Sequence, residues 1–330
     1  MLGSEPTLVN VLLLTTPAIH ALCVALVGAD FVTRTWRTQC FLRALGQSRS
    51  FREVFVLSAL GETASSLTPL RLGGEPARAW ALGRLGVPAS AAIVCVGVEF
   101  VAMMAVVAAI AVGLTVTLAP EWWAAAGPEL VRSALAGWPW LVGMVATMAA
   151  AWWLVHVLAP STAAALRREL VAAREHAREL GAWPYAASVP LTVLNVTTRV
   201  AILPLLAVTL SSPPPLGATI VGSFALLYSQ AVLPTPAGAG AVELSFLGGA
   251  AGNLGSAEAF LLVMWRLYTT LLPVILGLVL GVYRYGWAVV PSAIRSRLGI
   301  HVDDRSRRVA PPSDVNTLAS PRPQQADDAA

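Results

Sequence analysis

Lysine is absent from this 330-residue chain, so all 22 basic residues are arginines. Charge of any kind is scarce: 12% of residues are charged and 56% hydrophobic, with a mean hydropathy of +0.69. That balance excludes a soluble domain of this length. Runs of about 20 apolar residues recur instead, the length that crosses roughly 30 Å of hydrocarbon. Cysteine is rare as well. Cys23, Cys40 and Cys95 form no CxxC and no even framework, which argues against disulfides and a cysteine-bound metal. No HExxH, Walker loop, GxSxG or clustered Asp pair occurs, so an enzyme would lack an identifiable nucleophile or metal site, and no cofactor is called for. No ATP-binding motif occurs either.

The arginines that are present fall into a pattern. Five lie between Arg34 and Arg52, three between Arg71 and Arg84, four between Arg167 and Arg178, and seven between Arg284 and Arg322. These clusters alternate with long apolar runs, and basic loops stay on the cytoplasmic side of a bilayer. The sequence pI of about 9.3 therefore reads as membrane orientation and contact with anionic lipid, with no nucleic-acid partner. Five runs are long enough to span: 8–32, 88–118, 137–158, 185–210 and 259–283. Alternation puts the N-terminus outside and the C-terminus inside. The first run follows Glu5 without a basic residue and exceeds a signal-peptide core, so it reads as a retained helix. Trp122, Trp123, Trp138 and Trp140 mark an outer interface; Trp152, Trp153, Trp183, Tyr185, Tyr283 and Trp287 mark inner ends. The expected organisation is a transmembrane domain over 1–290 and a disordered cytoplasmic tail over 291–330, rich in Pro, Ser, Asp, Gln and Arg.

Two shorter apolar segments, Val54–Leu70 and Leu216–Leu233, do not fit as simple spans. The first has basic clusters on both sides; the second has none until Arg266. Each ends in a breaker: Pro69 with Gly73, Gly74 and Glu75, and Pro234, Pro236, Gly238 and Gly240 with Glu243. The fold expected is all-α and polytopic, with about five spans and two re-entrant helical hairpins of opposite sense, an inverted repeat enclosing a site. Two ordinary kinked helices are the plainer alternative. The glycines are expected to let the backbone turn sharply and to expose N–H groups to an anion.

Arg199 and Arg266 lie inside apolar segments, which requires a partner or a watery cavity. Asn195 shares the face of Arg199, one turn earlier. Both arginines suit a phosphate headgroup, since guanidinium meets phosphate at two points; structural pairing with Glu62 or Glu99 is the competing role. Glu62 belongs to a polar stripe with Ser58, Ser65 and Ser66, read as a cavity wall or a local cap. Arg71 stands at the mouth of the first hairpin, for substrate contact or surface anchoring. Glu75 is expected to cap a helix over Pro76–Leu85, and Asp30 to pair with Arg34 at a helix end. His20 reads as a packed side chain rather than a metal ligand.

Several elements are similar to one known family: Leu67-Thr68-Pro69 with Gly73-Gly74-Glu75 and Arg78; Arg84-x-Gly86 ahead of a span carrying Glu99; Pro234-x-Pro236-x-Gly238-x-Gly240-x-x-Glu243; and Arg266-x-Tyr268 with Pro273 and Gly277. Across residues 50–285 they resemble the lysylphosphatidylglycerol synthase transmembrane family, which includes standalone flippase-like proteins. The resemblance implies moving or housing lipid in the inner membrane. Phe100 stands where the family usually has Arg, and Ala237 where it usually has Gly. The soluble aminoacyl-transfer domain of some relatives is absent, so lysyl transfer is not expected.

The leading expectation is a flippase for an anionic or polyprenyl-phosphate lipid. Arg71, Arg199 and Arg266 would hold the headgroup, Asn195 would sit beside them, and Glu62, Glu99 and Glu243 would neutralise or gate them. A lipid-modifying transferase with Glu62 or Glu99 as base, and a non-transporting scaffold docking through the tail, are the alternatives. The sequence leaves homo-oligomer formation open.

Overall fold

The computed structural model describes residues 16–120, 160–210, 213–230, 235–238 and 256–286, with isolated helical positions at 142, 146, 150 and 153. The chain divides into a body, Met1–Arg284, and a second unit, Tyr285–Ala330. The expected span 137–158 (those four positions apart), the turn residues Pro234 and Gly240, Glu243 and the tail lie outside the described residues.

The described residues are helical, with no strand among them. In chain order they form α1 (Pro17–Ala44), α2 (Phe51–Leu67), α3 (Gly74–Arg84), α4 (Ala89–Leu118), α5 (Pro160–Glu179), α6 (Trp183–Val200), α7 (Ile202–Ala207), α8 (Leu216–Ser229), α9 (Ser256–Arg266), a π-helical segment (Leu267–Leu271) and α10 (Leu272–Tyr285). Among the described residues, four stretches are long and apolar enough to cross a membrane: Pro17–Ala44, Ala89–Leu118, Trp183–Ala207 and Leu261–Tyr285. In α4, Val101 is 67% exposed although the mean hydropathy of its span is 2.6. A helix this apolar with open faces has lipid as its solvent.

The first span corrects the sequence reading. Pro17 sets the first helical turn, where its missing N–H costs nothing, and the helix then continues to Ala44. Arg34 and Arg37 therefore lie well inside α1 rather than at its end or in the loop beyond, and Arg37 is buried. The short segment α2 begins at a capping box: Ser50 Oγ accepts from the Glu53 amide and Glu53 Oε2 accepts from the Ser50 amide at 3.1 Å. It ends before Pro69, and α3 then packs back against it.

The glycines between α2 and α3 serve a different purpose from the one expected. Gly73 has φ −73°, an ordinary helical value, and Gly74 opens α3. The residues that turn the chain are Leu70 and Arg71, at φ 55° and 57°. Gly73 instead makes room: a Cβ there would sit 2.8 Å from the Ala64 carbonyl oxygen. In the second turn Gly238, at φ 67°, does use its freedom, and Ala237 takes φ 50° without being glycine. The two turns meet, with Pro69 and Pro236 forming one antiparallel β-bridge.

Prolines interrupt the later spans. Pro204 has no N–H for the Val200 carbonyl, and the helix breaks at Ala201 between α6 and α7. Pro273 likewise leaves the Thr269 carbonyl without its i+4 donor. There the helix widens into the π segment, whose closing bond runs from the Leu272 amide to the Leu267 carbonyl. Trp265, Phe31, Ile202 and Leu206 form the centre of the apolar core.

Gly277 of α10 lies directly on α2, where a Cβ would overlap the Ala59 carbonyl and Thr63 Oγ1. Gly277→Ala should cost about 1–3 kcal/mol through overpacking. Thermal unfolding in detergent checks this, and an unchanged midpoint would contradict the contact.

Candidate functional site

Glu62 lies in the C-terminal half of α2, 3% exposed, and three arginines from three separate segments converge on it. Arg34 Nη1 of α1 donates to Oε2 at 2.9 Å. Arg71 Nη2, from the first turn, donates to Oε1 at 2.7 Å, and Arg199 Nη2 of α6 donates to the same oxygen at 2.9 Å. The left-handed backbone at Arg71 is part of the turn that presents this side chain. Its Nη1 also donates to Gln230 Oε1, at 3.3 Å, just ahead of the second turn. Arg199 Nη2 also reaches the Thr269 carbonyl at 3.3 Å, the acceptor that Pro273 leaves without its helical donor. Asn195 contributes through Asp30: its Nδ2 donates to Asp30 Oδ1, which also accepts from Arg34 Nε at 3.1 Å.

The group holds three guanidiniums and two carboxylates, so one positive charge is in excess. It also has donors to spare. Arg34 Nη2, Arg71 Nε, and Arg199 Nε and Nη1 make no hydrogen bond among the described residues, and none is a sealed, orphaned atom. The arginine side chains are 13–18% exposed, against 2% for Glu62. A buried carboxylate thus holds three guanidiniums in place while their other edges stay accessible. Such an arrangement can accept an anion without giving up its own pairs.

Glu99 belongs to a second network, balanced in charge: Arg37 and Arg78 against Glu99 and Glu75. It is 1% exposed and accepts from Arg37 Nε at 2.9 Å, from Arg78 Nη2, and from Thr38 Oγ1 at 3.0 Å. Arg78 Nη1 also donates to Glu75 at 2.9 Å, so Glu75, inside the first turn of α3, is an ion-pair partner rather than the cap expected: the N-cap is Gly73 and no side chain caps the helix. A polar cavity of about 40 Å³, room for a water or two, lies between Glu62 and Glu99.

Arg266 stands apart from both networks. Its Nη1 donates to the Ala237 carbonyl at 2.8 Å, across from the second turn. His20 Nδ1 lies 2.5 Å from Tyr268 Oη, a packed contact as expected. Of the residues anticipated, Glu62, Arg71, Arg199 and Asn195 come together; Glu99 lines the same small cavity as Glu62 from its own network, and Arg266 bonds to the second turn. Sequence reasoning missed Arg34 in this role, and Arg37 and Arg78 as partners of Glu99. A signal existed: Asp30, Arg34, Arg37 and Thr38 repeat at helical spacing and continue the apolar helix as one polar stripe.

The model of the lysylphosphatidylglycerol synthase transmembrane region matches residues 6–277. The chain belongs to this family. Membership and the apolar helices together make it a multi-pass membrane protein of a family concerned with lipid. No curated protein matches the chain.

Glu99→Ala would leave Arg37 and Arg78 buried without their shared partner. The expected cost is about 3–5 kcal/mol, the range for removing one side of a buried ion pair. Unfolding in detergent reads it directly, and a loss below about 1 kcal/mol would show that this network does not anchor α1 to α3 and α4.

Proposed function

We propose that this family member is a flippase that carries a lipid with an anionic phosphate headgroup across the inner membrane. The carrying observation is the site around Glu62: three guanidiniums from three segments, one charge in excess, with accessible N–H groups left over. Arg199 and Arg71 would hold the headgroup phosphate, with Arg34 beside them. Glu62 keeps the three aligned, and Asn195 orients Arg34 through Asp30.

Other features support the same reading. The Pro69–Pro236 bridge joins the tips of the two breaker-ended segments, as expected if two re-entrant hairpins enter from opposite faces. The N-terminus-out, C-terminus-in arrangement follows from the arginine clusters. An apolar groove of about 340 Å³ runs between α4, α6 and α8, lined by Leu114, Val193, Val196, Val200 and Ile220. It shares α6 with Arg199, so one acyl chain could lie there while its headgroup reaches the guanidiniums. Arg266, bonded to Ala237, would brace the second turn. The Glu99 network would brace the first hairpin. Both carboxylates once considered as general bases are saturated by arginine, which favours transport over group transfer.

A leaflet-accessibility assay with labelled phosphatidylglycerol in proteoliposomes tests the proposal. Arg71→Gln combined with Arg199→Gln should slow translocation about 10–100-fold, the scale of a lost charged hydrogen bond, with the unfolding midpoint used to show that the variant is folded. Equal rates in a folded double variant would remove these arginines from the path.

A further inference from the structure

We propose that lipid movement by this protein is electrogenic: one net negative charge crosses with each lipid, so membrane potential rather than a proton gradient drives it. The inference rests on the transport reading above and concerns its energetics.

The argument starts from which pairs survive when phosphate enters. Glu62 uses a single nitrogen from each of its three arginines. Asp30 uses Arg34 Nε and Asn195 Nδ2. The donors open to a phosphate are other atoms: Arg199 Nε and Nη1, Arg71 Nε and Arg34 Nη2. An entering phosphodiester therefore adds to the group and displaces neither carboxylate. A buried carboxylate stripped of its cations would take up a proton, but one that keeps them has no reason to.

Charge balance points the same way. Three guanidiniums and two carboxylates carry one positive charge in excess, and a phosphate monoanion brings the group to neutrality. Proton uptake at Glu62 would restore the buried excess and lose that gain. Among the described residues, the other charges nearby do not change the count. Across the small polar cavity, Arg37 and Arg78 are matched by Glu75 and Glu99. On α8, Tyr228 is a phenol close to Arg34 and Arg199. The lipid's own charge is then the charge that moves. With the cytoplasm negative, the field favours the outer leaflet.

Proteoliposomes of the full chain in phosphatidylcholine, with trace acyl-labelled phosphatidylglycerol, test this. Potassium gradients with valinomycin set the potential, and an impermeant quencher reads the leaflet ratio at steady state. A charge of one crossing the whole field should shift that ratio about tenfold for each 60 mV, reversing with polarity. A pH gradient of one unit should leave it unmoved, as should potential acting on labelled phosphatidylcholine. Phosphatidylglycerol that equilibrates to the same ratio at both polarities, or that follows the pH gradient, overturns the inference and leaves transport standing. No equilibration above protein-free vesicles would instead defeat the transport reading, and the inference with it.

Discussion

The first turn, α1 and α6 are arranged around one carboxylate, Glu62, taken out of water. An isolated carboxylate in that position would cost far more than a typical fold can spare. Its charge is tolerable because Arg34, Arg71 and Arg199 surround it. Those three side chains come from α1, from the first turn and from α6, so meeting the electrostatic demand of Glu62 fixes where these pieces sit. The reach of Arg71 to Gln230 and of Arg199 to Thr269 extends the constraint to α8 and to the π segment. One ionised group thereby sets the relation of the first turn to most of the body.

The two arginine–carboxylate networks differ in balance, and that difference separates structure from chemistry. Around Glu99 the charges cancel, and a threonine hydroxyl fills the remaining acceptor space. Around Glu62 a positive charge and several N–H groups are left over. A charge-balanced network gives rigidity; an unbalanced one with accessible edges has the charge and the donors that the proposed anion would need. The family to which the chain belongs concerns lipids, and the anion that a membrane supplies in abundance is a headgroup phosphate.

How much of this could be read from the residues depends on the range of the interaction involved. Apolar length located the helix Ala89–Leu118 almost to the residue, because lipid solvation is a local property. An arginine inside an apolar run was legible too: Arg199 had to find a carboxylate, and Glu62 was one of two named for it. Arg34 was placed at a helix end with Asp30, and Arg37 in the cytoplasmic cluster beyond it, because charge asymmetry sorts arginines by side and ignores helical register. The glycines at 73 and 74 resemble turn formers in a string of letters. Their real constraint, the closeness of Ala64 and Ser65, exists only once α3 folds back on α2. The π segment was equally hidden. Pro273 announces a lost hydrogen bond, but that the Thr269 carbonyl would be taken by Arg199, 70 residues away, is a tertiary fact.

The central claim is that guanidinium edges left free by Glu62 touch a lipid phosphate. Dipolar dephasing between lipid ³¹P and ¹⁵N-arginine side chains, measured by solid-state NMR in phosphatidylglycerol membranes, reports that contact itself. The account predicts strong dephasing of buried guanidinium signals that vanish when Arg199 is replaced by Gln. Dephasing confined to surface arginines, with the Arg199 signals untouched by phosphorus, would contradict it.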